Sequence, residues 1–225
     1  MERAVRRWID GYWACLLLAV TCLVVSPVLV SAQPDPDGRA RYFSGAFVGA
    51  SLGSQNIFSG ARINEIDVLA QDSRRVIEVS VGLRHQLAGT RLLVGAEVQY
   101  GFTNGDLAHD DTPSQSTVTY ANNTQSGVGL TAGYVAGTQA NVALFGFVSS
   151  TNRTFEIDIS DATQSYQQED QERFLRYGLG VEARLFGSWH AKASIGLQTL
   201  DFDDEITNVD LERKVDLAFG VTFQF

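Results

Sequence analysis

Residues 92–102 read LLVGAEVQYGF, an unbroken alternation of apolar residues with glycine or polar residues. One face is wholly apolar, and the other carries Gly95, Glu97, Gln99 and Gly101. A period of two is typical of a β-strand whose faces meet different surroundings. Strands of soluble proteins average about 5–6 residues, whereas a strand that crosses a bilayer needs about 9–11. The stretch therefore predicts a membrane-crossing strand.

The same alternation recurs along the chain. Residues 175–185 and 215–225 repeat it over the same length, and further strands are predicted at 44–54, 76–87, 127–136, 141–150 and 189–198. The stretch 141–150 is apolar on both faces, so its orientation stays open. These eight segments predict an all-β fold: an eight-stranded antiparallel up-and-down transmembrane β-barrel.

The connections between these strands alternate in length. Short links are predicted at 87–90, 137–140 and 186–188, and long ones at 55–73, 103–125, 151–172 and 199–210. Outer-membrane barrels have short periplasmic turns and long outside loops, whereas the alternative, a soluble lipocalin-like barrel or sandwich, has no reason to sort its loops by end. Interfacial aromatic girdles are predicted from Tyr42, Phe43, Phe186, Trp189, Phe223 and Phe225 at one end and Tyr100, Phe102, Phe174 and Tyr177 at the other.

The chain begins with a predicted signal peptide over residues 1–32. Three arginines precede an apolar run at 14–30, and Val30-Ser31-Ala32 supplies small residues for cleavage after Ala32. A membrane anchor is the competing interpretation. We expect a periplasmic N-terminal segment at 33–43 and the barrel at 44–225. Both cysteines, Cys15 and Cys22, fall in the leader, and the net charge of −9 argues against nucleic acid as a partner.

Several segments resemble a known family. Residues 45–53 (GAFVGASLG), 94–97 (VGAE) and 177–182 (YGLGVE) resemble strand motifs of the OmpA/OmpX-like eight-stranded outer-membrane proteins, membrane domain only. The end of the chain, GVTFQF with Gly220, Phe223 and Phe225, is similar to the aromatic signal that such proteins present to the barrel assembly machinery. Ala218 departs from that signal. The resemblance implies a monomer in the bacterial outer membrane, among its lipid and lipopolysaccharide.

The predicted barrel has a charged interior. An eight-stranded barrel is just wide enough for side chains to fill it, and buried opposite charges must pair. The alternation directs nine charged side chains inward: Glu78, Arg84, Glu97, Arg176, Glu182, Arg184, Lys192, Lys214 and Asp216. We expect these to form a salt-bridge network that plugs the lumen and gives a non-enzymatic, structural or surface-contact protein. A small-solute channel is the alternative.

The sequence gives little support for catalysis or for a cofactor. A lipid A-modifying enzyme needs a nucleophile beside a base, but His85 and His190 are predicted near the periplasmic rim and His109 in an outside loop. Residues 190–194 lack the His-x-Ser spacing of the deacylases. We expect the rim histidines to be interfacial polar residues. His109-Asp110-Asp111 is expected to be a solvated turn rather than a metal site, so no metal or cofactor is predicted.

The predicted outside loops are acidic. Their carboxylates are Glu65, Asp67, Asp72, Asp106, Asp110, Asp111, Glu156, Asp158, Asp161, Glu169, Asp170, Glu172, Asp201, Asp203, Asp204, Glu205 and Asp210. Such charge keeps long loops soluble and protects strand edges. The functional alternative is binding of divalent cations that bridge to lipopolysaccharide phosphates, or of a basic partner.

Overall fold

The computed structural model describes residues 42–63, 66–104, 106–111, 116–137, 141–160, 165–199 and 215–225. Its strands are β1 (Gly45–Ile63), β2 (Ile66–Gln86), β3 (Leu92–Asn104), β4 (Leu107–Asp111), β5 (Ser116–Ala136), β6 (Val142–Ser160), β7 (Ser165–Phe186), β8 (Trp189–Gln198) and β9 (Asp216–Gln224). None of these residues lies in a helix long and apolar enough to cross a membrane. The predicted signal peptide and Lys214 lie outside the described residues.

The sheet closes on itself. Strand β1 pairs on one side with β2 and on the other with β9, from Phe47↔Gln224 to Ser54↔Leu217. The remaining neighbours follow the chain order, with β3 paired directly to β5, and every pairing is antiparallel. The short strand β4 pairs only with the far part of β5. The predicted eight-stranded antiparallel barrel is confirmed.

The apolar faces point outward. Exposed fractions reach 61% at Leu130, 67% at Leu179 and 65% at Phe219. Leu144 and Val148 of β6 are exposed whereas Phe145 and Ser149 are buried, which resolves the orientation left open by the sequence. Because the apolar face of the barrel is its outside, the soluble-barrel alternative is wrong.

The prediction of long loops is corrected by the structure, because most of the residues assigned to them lie in strands. Pairing continues from β1 to β2 as far as Ile63↔Ile66, and β6 pairs with β7 as far as Ser160↔Ser165. Backbone hydrogen bonds do not require an apolar face, so the hairpins extend beyond the apolar band although the alternation of apolar residues stops there. We call the end of the barrel that carries these extended hairpins the long-hairpin end. The fourth long connection lies outside the described residues from residue 200 onward.

The short links are confirmed at the opposite end, which we call the short-turn end. Glycines with positive φ stand in all three of them: Gly89 at 68°, Gly137 at 86° and Gly187 at 50°. This backbone region is one that residues with a Cβ rarely adopt, so glycine fixes these tight turns.

Two of the predicted girdle aromatics face inward instead. Phe43 is 0% exposed and Phe174 is 7% exposed, whereas Phe186 and Phe225 are 66% and 63% exposed. Phe174 has the same strand phase as the inward-facing Arg176, and Phe43 precedes the first strand. Both side chains therefore belong to the barrel interior rather than to an outer girdle.

Candidate functional site: the barrel interior

The barrel interior near the short-turn end is organised around one carboxylate. Glu182 accepts a hydrogen bond from Arg84 Nη1 at 2.6 Å and one from Thr222 Oγ1 at 2.5 Å, and His190 Nδ1 lies 3.0 Å away. Glu182 and His190 are each 1% exposed. The Arg84 guanidinium also stacks 4.1 Å from the centre of the Phe47 ring. Several strands thus contribute side chains to this cluster, and the carboxylate charge is fully engaged.

A second ion pair lies further along the interior. Lys192 Nζ is 3.6 Å from Glu97 Oε2, and Gln99 Nε2 donates to Glu97 Oε1 at 2.6 Å. Lys192 also approaches the Phe145 ring at 5.4 Å. A cavity of about 30 Å³ adjoins this pair and reaches Glu78. That volume holds about one or two water molecules.

The third group of charges is bridged by Arg176. Its Nη1 lies 3.0 Å from Glu78 Oε2, and its Nε lies 3.5 Å from Asp216 Oδ2. Gln198 also donates to Asp216 Oδ2 at 2.7 Å, and the backbone N–H of Asn56 donates to Asp216 Oδ1 at 3.0 Å. Strand β9 begins at Asp216, whereas β1 continues beyond that level. The Asn56 N–H of β1 lies past the start of β9, and the Asp216 carboxylate accepts its hydrogen bond in place of a β9 carbonyl.

Arg153 is a buried charge that the sequence interpretation missed. It is 1% exposed, its Nη2 donates to Gln125 Oε1 at 3.3 Å, and its guanidinium stacks 4.4 Å from the Phe174 ring centre. It lies on β6 beyond the apolar band, where burial lowers its pKa to about 10. Such a group remains charged at neutral pH. The inward phase of β6 was the available signal, but residue 153 fell in a predicted loop.

Apolar side chains bracket these charges at both ends. Phe43, Leu93, Val135 and Ala143 form a buried cluster at the short-turn end, with exposed fractions of 0–2%. Toward the long-hairpin end, Ile57 and Phe155 on inward positions are each 0% exposed. Polar pairs therefore fill the middle of the interior, and apolar groups occupy its two ends.

Inward glycines make room for this filling. A Cβ at Gly82 would come within 2.6 Å of the Phe47 ring, and one at Gly180 would clash with the Phe145 ring. At these two positions a residue with a Cβ is excluded because an aromatic ring from the paired strand lies over the glycine.

Arg184 departs from the other predicted interior charges. It is the last inward position before the turn at Gly187, and its Nε donates to the Gly187 carbonyl oxygen at 2.8 Å. Its guanidinium lies 3.9 Å from the centre of the Tyr42 ring. The expected salt bridge at Arg184 is therefore replaced by a backbone contact and a cation–π contact at the mouth of the barrel.

Replacing Arg184 with Ala is expected to cost only about 0.5–1 kcal/mol, because a partly exposed cation–π contact and an exposed hydrogen bond are lost. Urea unfolding in lipid vesicles measures this. A loss of several kcal/mol would show that Arg184 has a buried ionic partner after all.

The histidines also differ from expectation. His85 is exposed, as an interfacial residue would be, but His190 faces inward beneath Phe43. The interfacial interpretation is therefore wrong for His190, because its strand phase places it on the inner face. The described residues contain no group of three His, Cys, Asp or Glu side chains able to hold a metal ion.

The predicted C-terminal signal lies at the short-turn end. The Phe223 ring packs edge-on against both Trp189 and Phe225, each at 5.1 Å between ring centres. A Cβ at Gly220 would clash with the Ala50 carbonyl, so this position must remain small. The backbone N–H of Phe225 donates to the Ala46 carbonyl at 2.8 Å, which ties the chain end to β1.

Comparison with known proteins identifies similar chains. Residues 17–225 match the family model described as outer membrane protein beta-barrel domain. Similar solved structures include neisserial surface protein A, with 15% identity, a TM-score of 0.44 and coverage of 81% of this chain and 98% of that one. The N-terminal barrel domain of Pseudomonas aeruginosa OprF has 18% identity, a TM-score of 0.39 and coverage of 81% and 99%.

A third similar structure is a major outer membrane protein from Thermus thermophilus, with 13% identity, a TM-score of 0.48 and coverage of 80% of this chain and 100% of that one. A search of curated protein sequences gives no significant match.

Proposed function

The chain belongs to the outer membrane protein beta-barrel domain family and lies in the bacterial outer membrane, and on this premise we propose that it is a non-enzymatic, non-conducting barrel. Its role in this proposal is structural, with surface contact made by its long hairpins. By the usual topology of such barrels, the short-turn end faces the periplasm and the long-hairpin end faces outward.

The non-conducting barrel is supported mainly by the side chains that fill its interior. The Arg84–Glu182, Lys192–Glu97 and Arg176–Asp216 contacts follow one another between the two apolar ends. An ion crossing the barrel would have to separate these buried pairs, and removing a partner from a buried charge costs several kcal/mol. This barrier supports a plugged lumen.

Conductance of the refolded protein in a planar bilayer tests the proposal. We expect no stable openings above the leak of the bare bilayer, because the interior pairs hold the lumen closed. Stable openings of uniform size would overturn the plugged lumen and favour the channel instead.

The long hairpins support a surface-contact role. At this end Arg74 Nη2 lies 3.1 Å from Asp72 Oδ2 and donates to the Asp106 carbonyl at 2.6 Å, which ties β2 to the residue before β4. Asp106 and Glu169 are exposed. Acidic groups held on paired strands form a defined surface for divalent cations at the lipopolysaccharide layer or for a basic partner.

A small-solute channel is the second candidate, and the Lys192–Glu97 contact favours it. This pair is longer than the other two, at 3.6 Å, and the Lys192 side chain retains 21% exposure beside the small cavity. Breaking the pair with Lys192→Met, which removes the cation and leaves the Glu97 carboxylate, distinguishes the candidates in the same bilayer experiment. A plugged barrel stays silent in this variant, whereas a channel closed mainly by this pair opens.

The outward faces of two strands lack the groups that lipid A modification would need. Among the described strands, the outward side chains of β3 and β9 within the apolar band offer no nucleophile beside a base; they are Leu92, Val94, Ala96, Val98, Tyr100, Phe102, Leu217, Phe219, Val221 and Phe223. The buried His190 donates or accepts within the Glu182 cluster rather than facing lipid. Lipid A modification would need such groups at the lipid surface.

We also infer that residues 1–32 are removed as a signal peptide, that the mature protein is a monomer and that the C-terminal aromatics are bound by the barrel assembly machinery. The exposed Phe225 side chain, 63% accessible at the end of the last strand, supports the last of these.

Replacing Phe225 with Ala is expected to reduce the outer-membrane level of the protein several-fold, because the assembly machinery loses its terminal aromatic. Phe186→Ala is the matched control, since Phe186 is 66% exposed at the same end. Quantitative immunoblotting of membrane fractions measures both. Equal levels of the two variants would contradict the assigned signal.

A further inference from the structure

Three residues immediately before β1, Tyr42 to Ser44, form what we call the N-terminal strap. The Phe43 ring is 0% exposed and packs in a cluster with Leu93, Val135 and Ala143. Those three side chains come from β3, β5 and β6, which lie away from β1 in the barrel order. The strap therefore reaches into the mouth of the barrel at the short-turn end.

The strap is held from several sides. Tyr42 lies under the Arg184 guanidinium at 3.9 Å, and the Ser44 hydroxyl oxygen accepts a hydrogen bond from the backbone N–H of Gln86 at 2.9 Å. Between them, the Phe43 ring lies 4.9 Å from the His190 ring, with 37° between their planes. These contacts come from the ends of β2, β7 and β8, so each strap residue is fixed by a different strand.

The backbone at Gly45 explains how the chain turns from the strap into the first strand. Its φ of 127° lies in a region that is essentially restricted to glycine. Immediately afterwards, the Ala46 carbonyl accepts hydrogen bonds from the Phe225 N–H and from Gln224 Nε2, each at 2.8 Å. The bend at Gly45 thus directs Phe43 inward while β1 enters its pairing with β9.

We propose that the N-terminal strap closes the short-turn mouth of the barrel, with Phe43 as the stopper over His190 and Glu182. This rests on the proposed function, because it names the element that isolates the closed interior from the periplasm. His190 and Glu182 are each 1% exposed although both lie toward this mouth. The Phe43 ring is the strap group that contacts the imidazole, so its removal is expected to open His190 to solvent.

Chemical modification of His190 tests the strap. Diethyl pyrocarbonate acylates accessible neutral imidazoles, and the exposed His85 serves as an internal reference in the same sample. In refolded protein in detergent micelles, mass spectrometry of peptides gives the modification rate at each histidine. We expect His190 to react at less than roughly one tenth of the rate of His85, because reaction requires local opening.

Phe43→Ala is expected to raise the His190 rate about tenfold or more relative to His85, because local opening is no longer required. The matched control is Phe102→Ala, which removes an equal ring from the outer face, where Phe102 is 51% exposed. Tyr42→Ala is the second variant, since it loosens the strap without removing the stopper, and an intermediate rate is expected. The heat-dependent shift in gel mobility confirms that each variant is folded.

The possible results distinguish a failure of the strap proposal from a failure of the plugged-lumen proposal. A wild-type His190 that reacts as fast as His85, or a folded Phe43→Ala protein with an unchanged His190 rate, overturns the strap. If Phe43→Ala fails to fold, an unchanged rate in Tyr42→Ala overturns it instead. Conductance of the same wild-type preparation tests the plugged lumen independently, because the strap can be wrong while the bilayer stays silent.

Discussion

Replacing Glu182 with Ala is expected to lower the free energy of unfolding by about 3–5 kcal/mol, the cost of removing one partner of a buried ion pair. Glu182 is the only carboxylate among the described residues that bonds Arg84, and it also engages Thr222 and His190. Its loss leaves a guanidinium that is 8% exposed without its ionic partner. Urea unfolding in lipid vesicles, followed by tryptophan fluorescence, measures the change.

Two further variants identify the cause of that loss. Glu169→Ala removes an exposed carboxylate from the same strand and should stay within about 0.5 kcal/mol of wild type. Arg84→Met combined with Glu182→Ala should recover much of the lost stability, because the orphaned charge is gone. If the double variant is as unstable as the sum of the singles, packing rather than charge accounts for the role of Glu182.

The sequence was sufficient to predict the barrel because apolar and polar residues alternate along its strands over the whole width of a bilayer. An apolar outward face sustained over eleven residues, as in residues 92–102, leaves the strand one orientation in lipid. The stretch 141–150 shows the limit of this reasoning. With apolar residues on both faces, only the pairing with β5 and β7 decides that Leu144 faces out and Phe145 faces in.

The sequence predicted which charged residues face the interior, but it did not predict which of them pair with one another. Strand phase directs Arg84 and Glu182 inward, yet they are 98 residues apart and lie on strands that are not neighbours. Their contact depends on the tilt and closure of the barrel, which no local pattern contains. Phe43 was misassigned for a related reason: it precedes the first strand, so no alternation predicts where its ring points.

The hairpin extensions were missed because alternation of apolar residues was taken as the mark of a strand. Beyond the apolar band both faces of β6 meet polar surroundings or a narrow interior, so the periodic signal fades while the backbone pairing with β7 continues through Asp158↔Gln167. Arg153 was missed because it lies in that segment, although its strand phase matches that of the inward-facing Ser149 and Thr151.

Replacing Arg176 with Met is expected to destabilise the barrel by about 3–5 kcal/mol, because the buried Asp216 and the half-buried Glu78 carboxylates lose the cation that bridges them. Arg176 is 5% exposed and Asp216 is 2% exposed, so water offers little compensation. Methionine keeps much of the length of the side chain, which limits the effect mainly to charge and hydrogen bonding. Unfolding by urea in vesicles gives the difference from wild type.

The matched control is Arg173→Met, three positions earlier on the same strand, where the guanidinium is exposed and donates to Ser150 Oγ at 3.0 Å. It should change stability by no more than about 0.5 kcal/mol. Adding Asp216→Asn to Arg176→Met should restore part of the loss, because one of the two orphaned charges is neutralised while its hydrogen bonds remain possible. Equal stability of Arg176→Met and Arg173→Met would mean that water reaches Glu78 and Asp216, and the lumen would then have to be hydrated rather than plugged.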